Sequence, residues 1–252
     1  GRTKIRKGPV LRLALVVPII VALIVVAQGY FVPGSTVFGK VYSKAKTNDK
    51  VIALTFDDGP NDPYTSRILD ILDSQDIKAT FFVTGKNVQM YPETAKRIVA
   101  EGHDLGNHSY SHNANHALTA QGGKDVLLAE QAIYDVTGVL PRFYRPPHGK
   151  KSPWELYSIR HAGLTLVNWS IATNELHTTN FSAVAAQIVK KAKPGGIIDL
   201  HDGYGNDHGT PLADKTLAVK ALPIIIEDLR KEGYSFVTVS ELLGQSPYKV
   251  AQ

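Results

Sequence analysis

The sequence predicts an α/β fold built on a parallel sheet, and three observations carry that expectation. Seven short apolar runs alternate with six amphipathic stretches after residue 50. No glycine-rich phosphate loop follows the first run, so nucleotide binding has little support. Ionisable residues gather just past the ends of the runs, where barrels of alternating strands and helices keep their chemistry. Seven units in about two hundred residues suit a closed or nearly closed barrel better than a split pair of domains. A doubly wound open sheet is the alternative.

The chain has 252 residues, 43% hydrophobic and 20% charged, enough for one sizeable core. Much of its net charge of +5 sits on Arg2, Lys4, Arg6, Lys7 and Arg12. The rest is nearly balanced, with no interleaved basic and aromatic stripe of the kind nucleic acid would suggest. Cysteine is absent, which excludes disulfides, Cys-ligated zinc and a thiol nucleophile.

An unbroken apolar run covers residues 13–27. Extended through Gln28-Gly-Tyr-Phe-Val32, it reaches the roughly twenty residues a membrane span needs. The basic flank before it, and Tyr30 and Phe31 after it, fit cytoplasmic positive charge and an interfacial aromatic belt. Residues 1–12 therefore read as a basic cytoplasmic end, and residues 13–32 as an uncleaved transmembrane anchor. A signal peptide cleaved near Ala27 competes. A buried core helix fits poorly with the clustered charges and the missing amphipathic period. Both export readings place the remainder outside the cytoplasm. Residues 33–49 read as a polar linker, 50–243 as the globular catalytic domain and 244–252 as a tail.

Within that domain, strands are expected at residues 51–56, 79–83, 104–107, 143–145, 164–169, 196–201 and 235–239. Helices are expected near 65–74, 92–101, 119–137, 154–161, 182–191 and 212–231. Pro92 sits where a first helical turn tolerates proline. Asn180 and Ser182 offer N-caps. Gly233 stands just past a helix end.

The strand ends carry a coherent set of side chains. The first ends in Asp57-Asp58 before a Gly-Pro turn, and neighbouring residues of a strand point opposite ways, so the two aspartates can do different jobs. A plain Asp-Gly turn is the bland alternative. The third ends in Asn107-His108-Ser-Tyr-Ser-His112, the fourth in Arg145-Pro-Pro-His148-Gly149, the fifth in Trp169-Ser170, and the sixth in His201-Asp202. His108 and His112, four apart, would share one face of a helical turn and could grip one ion. His112 and His116 share the spacing, so one pairing is chance. With Asp58, the first pair makes a two-histidine, one-carboxylate ligand set with open positions. His201 suits a general acid, against a satisfied rim histidine. Arg145, stiffened by two prolines, suits a fixed partner for a catalytic carboxylate, against a surface arginine.

Thr55-Phe-Asp-Asp-Gly59, His108-Ser-Tyr-Ser-His112, Arg145-Pro-Pro-His-Gly149 and Leu200-His-Asp202, in this order, closely resemble the polysaccharide deacetylase family, the NodB-homology domain of carbohydrate esterase family four. The resemblance covers about residues 50 to 240. It implies a distorted (β/α)7, TIM-like barrel and metal-dependent removal of N-acetyl groups from amino sugars. It implies Asp58, His108 and His112 as ligands of one divalent ion, zinc first, with cobalt, manganese, iron or nickel as alternatives. Asp57 looks like the general base acting on the attacking water and Arg145 like its tether. The His148 backbone N–H looks like an oxyanion donor, and His201 like the acid that protonates the departing amine. The chemistry is consistent, since amide hydrolysis needs a Lewis acid, an activated water and a proton donor.

The chain departs from the family pattern in three places. His148 replaces a tyrosine, which matters little if only its backbone is used. Ala172-Thr-Asn-Glu-Leu176 stands where Asp-Thr-Asn-Asp-Trp is usual, so Glu175 is a candidate partner of His201 and Leu176 replaces a pocket-wall tryptophan. Asp199 replaces a leucine two residues before His201, and alternation puts it on the histidine's side of the strand. It is expected either to partner His201 or to make the acyl pocket more polar. Trp169, Leu176 and Asp199 are the expected pocket residues. The expected partner is an N-acetylated polysaccharide, peptidoglycan before chitooligosaccharide or exopolysaccharide, with the membrane engaged through residues 13–32 and neither nucleic acid nor nucleotide. A carbohydrate-binding homologue without turnover and a hydrolase of a different N-acyl group are the other readings.

Overall fold

The computed structural model describes residues 8–113, 115–119, 121–173, 178–205 and 214–250, with side chains from residue 16 onward. Helix α1 (Gly8–Phe31) comes first. The body then runs β1 (Val51–Asp57), α2 (Tyr64–Ser74), β2 (Thr80–Val83), α3 (Gly85–Met90), α4 (Pro92–Ala100), β3 (Asp104–Asn107), α5 (Gln121–Thr137), β4 (Leu140–Pro141) and β5 (Phe143–Tyr144). It continues with α6 (Pro153–His161), β6 (Thr165–Leu166), β7 (Ile171–Ala172), α7 (Phe181–Lys191), β8 (Gly196–His201), α8 (Thr216–Lys231), β9 (Ser235–Val237), α9 (Val239–Leu243) and β10 (Tyr248–Lys249).

The strands form a curled parallel sheet in the order β6-β5-β3-β2-β1-β8-β7, with β9 paired to the base of β1. The expected barrel is thus present in coarser form. The expected strand at 164–169 is divided. Its start, β6, pairs with β5, and beyond Ser170 the chain resumes as β7 against β8. Each of the seven expected strands has a counterpart in the sheet. The last stops early because Thr238 caps α9: its side chain accepts from the Glu241 N–H while Glu241 reaches back to the Thr238 N–H.

Alternation along β1 explains the layering. Ile52, Leu54 and Phe56 join the large core between sheet and helices, with Ile68, Leu72, Ile198 and Ile225. Ala53 faces the concave side with Phe82, Phe143, Val167 and Ile197. Thr55 and Asp57 continue that concave face towards the strand end, opposite Asp199 and His201 of β8.

Two boundary expectations need correction. Residues 33–49 are not a free linker, because Tyr42 donates to Leu166 O at 3.1 Å and accepts from Asn168 N–H at 2.8 Å. The buried Lys151 Nζ donates to Val32 O at 2.6 Å, and Asn168 Nδ2 to Pro33 O at 2.7 Å. Of the expected tail at 244–252, the described part is not simply a tail, since β10 pairs antiparallel with β4.

The expected transmembrane helix is not found: among the described residues no helix is long and apolar enough to cross a membrane. Arg2, Lys4, Arg6 and Lys7 lie outside the described residues, as does the side chain of Arg12.

Candidate active site

The C-terminal ends of β1, β3, β5 and β8 converge on one cavity of about 90 Å³. Asp57, Asp58, His108, His112, His201 and Trp169 all line it. Asp57 and His201, 144 residues apart in sequence, thus meet at one spot.

Asp58 and the two histidines form a tight group. Asp58 Oδ1 lies 3.2 Å from His112 Nε2 and 3.4 Å from His108 Nε2, and all three side chains are buried. His108 Nδ1 is 2.8 Å from the Arg145 carbonyl, to which it donates in the tautomer that leaves Nε2 as a lone-pair donor. Asp58 Oδ1 has no hydrogen-bond partner despite its burial. One electron-rich oxygen and two imidazole nitrogens therefore face a common point, which suits a divalent cation. Burial acts to raise the Asp58 pKa, but the imidazoles of His112 and His108 outweigh it and hold the carboxyl well below the usual range. Burial likewise acts to lower His108, and the carboxylates of Asp57 and Asp58 outweigh it, leaving the group raised. The pocket thus draws positive charge from whatever source, proton or metal.

The helical turn expected for His108 and His112 does not form. The segment is a loop, with Ser109 at φ 67° and His112 at φ 50°, and the Ser109 hydroxyl accepts from His112 N–H at 3.1 Å. Asn107 shapes that loop, accepting from Ser109 N–H at 2.8 Å while donating to Val126 O at 2.9 Å. Asp58 and His148 also have positive φ, so four of the five such non-glycine residues among those described belong to this site. Backbone strain of this kind clusters where function holds it. His116 is excluded as a ligand. Its Nδ1 lies 2.6 Å from Glu155 Oε1 and its Nε2 3.1 Å from the Pro147 carbonyl.

Asp57 turns the other way. Its Oδ1 accepts from Arg145 Nη1 at 2.6 Å. Arg145 is fully buried, with its guanidinium over the Phe82 ring at 4.1 Å, so it is no surface arginine. The same Nη1 reaches Thr55 Oγ1 at 2.8 Å and Asp199 Oδ1 at 3.1 Å. Asp57, Asp199 and His201 place their polar atoms within 4.8 Å of one another. Asp199, 4% exposed, lies behind Asp57 and His201 rather than on the cavity wall, so the expectation of a polar acyl-pocket lining there is corrected. Glu175 and Leu176 lie outside the described residues. His148 turns its ring outward, 4.7 Å from that of His112, on the tight turn after the two prolines.

Three residues escaped the sequence reading. Thr55 was legible in principle, since it precedes Asp57 by two on one face of β1. Tyr204 and Lys215 line the cavity too, with Lys215 buried and its ammonium 5.1 Å from the Tyr204 ring centre. Lys215 carries no local signal, because only the fold returns it to the strand ends. Asp202 braces the floor: its Oδ2 accepts from Thr65 Oγ1 at 2.6 Å. Burial raises its pKa to about 7. Gly59 is required there, because a Cβ would lie 2.1 Å from that carboxylate oxygen.

Residues 44–167 match the polysaccharide deacetylase family model. A peptidoglycan-N-acetylglucosamine deacetylase of Bacillus cereus is 36% identical over 207 residues, covering 81% of this chain and 93% of that protein. The peptidoglycan-N-acetylglucosamine deacetylase PgdA of Listeria monocytogenes is 37% identical over 206 residues, 80% of this chain but only 40% of that longer protein. The crystal structure of the peptidoglycan N-acetylglucosamine deacetylase Bc1960 superposes with a TM-score of 0.74 at 29% identity, covering 83% of this chain and 95% of that one.

Proposed function

The chain belongs to the polysaccharide deacetylase family, hydrolases of N-acetyl amide bonds, and we propose that it is metal-dependent and deacetylates amino sugars of peptidoglycan. The observation that carries the metal reading is the buried, unpartnered Asp58 Oδ1 facing His108 Nε2 and His112 Nε2. A divalent ion held by these residues, zinc first, would supply Lewis-acid polarisation to the amide and to the attacking water. The named activity of the Bacillus and Listeria relatives supports peptidoglycan as the polymer.

The chain's own residues supply the rest. Asp57 takes a proton from the attacking water, and Arg145 keeps that carboxylate aimed. The His148 N–H donates to the oxygen that gains charge as the carbonyl becomes tetrahedral. His201, across the cavity from the histidine pair, gives a proton to the amine as the C–N bond breaks. Water and amide yield acetate and a free amine.

We also propose that the apolar run at residues 13–32 anchors the domain outside the cytoplasm, beside the cell wall. Its described side chains support this, since Val17, Ile20, Leu23 and Ile24 are exposed on α1. Alkaline carbonate extraction of the full chain tests the anchor, and release into the soluble fraction would refute it. Acetate release from purified peptidoglycan and from chitooligosaccharides, with and without chelator, tests the activity. No release from either with added zinc or cobalt would overturn the deacetylase reading.

A further inference from the structure

The cluster of Asp57, Asp199 and His201 resembles a second metal site by composition. Its cation is already in place, however, as the guanidinium of Arg145. One nitrogen, Nη1, is shared by Asp57 Oδ1 at 2.6 Å, Thr55 Oγ1 at 2.8 Å and Asp199 Oδ1 at 3.1 Å. The sheet register makes this square. Thr55 lies opposite Asp199 and Asp57 opposite His201 on adjacent parallel strands, and all four side chains share the concave face. Arg145 enters from β5 and stacks over Phe82, so the guanidinium forms the top layer of the concave core.

A leucine at 199 would leave that buried cation held by one carboxylate at its edge. Asp199 holds it from a second strand, one layer below the reacting groups. The pair also carries one more negative charge than Arg145 neutralises. His201 lies within 4.8 Å of both carboxylates.

We propose that Asp199 is a positioning residue of the deacetylation. It clamps Arg145 from β8, so that Arg145 in turn fixes the direction of Asp57. Asp199 thereby acts from the same strand as His201, two residues before it. The inference rests on the deacetylase reading.

The test uses the full chain loaded with zinc, assayed for acetate release from chitooligosaccharide. The variants are Asp199→Asn, Asp199→Leu, Arg145→Lys and the Asp199→Asn/Arg145→Lys double. Activity is counted per folded molecule, from thermal unfolding of each. Misplacing an aligned catalytic group costs up to about a hundredfold, so Asp199→Leu should lower kcat by about that and Asp199→Asn by about tenfold, with KM within about threefold. Bound zinc should stay at the wild-type level, because Asp199 lies outside the group formed by Asp58, His108 and His112. In the Arg145→Lys background, Asp199→Asn should cost less than about threefold, since its route of action is already lost. Wild-type kcat in both Asp199 variants would overturn the proposal. So would an equal loss from Asp199→Asn with and without Arg145. A wild-type chain that releases no acetate would instead bring down the deacetylase reading, and the wild-type assay tells the two failures apart.

Discussion

The curled sheet buries ionisable groups at both ends of its strands, and the two ends treat them differently. At the N-terminal end, Asp104 of β3 accepts from Thr80 Oγ1 at 3.2 Å, Ser240 N–H at 2.8 Å and Ser240 Oγ at 3.0 Å, so both its oxygens are occupied. At the C-terminal end, Asp58 Oδ1 and Arg145 Nη2 are equally buried and have no hydrogen-bond partner. An unmet buried donor or acceptor costs about 1–3 kcal/mol, more when charged. A fold tolerates that where something outside the chain completes the set. Burial of charge alone therefore does not mark the working end of this sheet. Nor does a single unmet atom, since His103 Nε2 beside Asp104 is also buried without a hydrogen-bond partner; ligand-type atoms converging on one cavity do.

The sharpest way to break the comparison is Asp58→Asn. It keeps the shape and removes the ligand charge, so acetate release should fall at least about a thousandfold. Zinc content should fall towards zero by elemental analysis. The Tm of the metal-free protein should change little, because Asn keeps the shape and removes the buried charge together with its attraction to the two imidazoles. A large loss of Tm would make Asp58 a structural residue like Asp104. Arg145→Met comes next and should fail on both counts. It leaves Asp57 and Asp199 buried without their cation, costing about 3–5 kcal/mol in denaturant unfolding, and lowers kcat by about a hundredfold or more.

The two ends also differ in how far the sequence disclosed them. The strands and the C-terminal site were legible because each apolar run stops at a chemically unusual residue, and Asp57-Asp58, His108, Arg145 and His201 recur at such stops. The choice between His112 and His116 as ligand was not legible, because spacing cannot show that Glu155 and Pro147 occupy the His116 ring. The helical turn expected for His108 and His112 failed because Asn107 and Ser109 bend the loop through their own hydrogen bonds, a local competition that periodicity does not register. The role of Asp199 became visible only with the register of β8 against β1. The N-terminal segment misled for a different reason. Polar composition suggested a linker, yet the backbone of Tyr42 bridges to Leu166 and Asn168, and backbone hydrogen bonding is indifferent to composition.

Asp104→Ala turns the comparison around. It should cost about 2–3 kcal/mol of stability by leaving the Ser240 N–H and the Thr80 and Ser240 hydroxyls without their acceptor. Acetate release per folded molecule should stay within about twofold of wild type. A selective loss of kcat would mean that the two ends are coupled.

The smallest effect belongs to His103, beside Asp104. Its Nδ1 accepts from Ala79 N–H at 3.0 Å, so the folded protein needs that nitrogen unprotonated. Burial, then the charges of Lys78 and Arg97, lowers its pKa from 6.5 to about 4. The sign follows from the two states. Below pH 6.5 the unfolded chain takes a proton that the folded chain refuses until about pH 4, so unfolding gains protons and stability falls with pH across that window. The loss should reach about 2 kcal/mol near pH 5 and vanish above neutrality. Other groups titrate in the same range, so the measurement is the difference between wild type and His103→Asn, whose amide oxygen can accept the Ala79 N–H without titrating. Denaturant unfolding at successive pH values should show wild type losing the larger share of its stability on acidification. Parallel curves would mean that Ala79 does not hold His103 neutral. The N-terminal end would then contain an ionisable group as free to take a charge as those around the cavity.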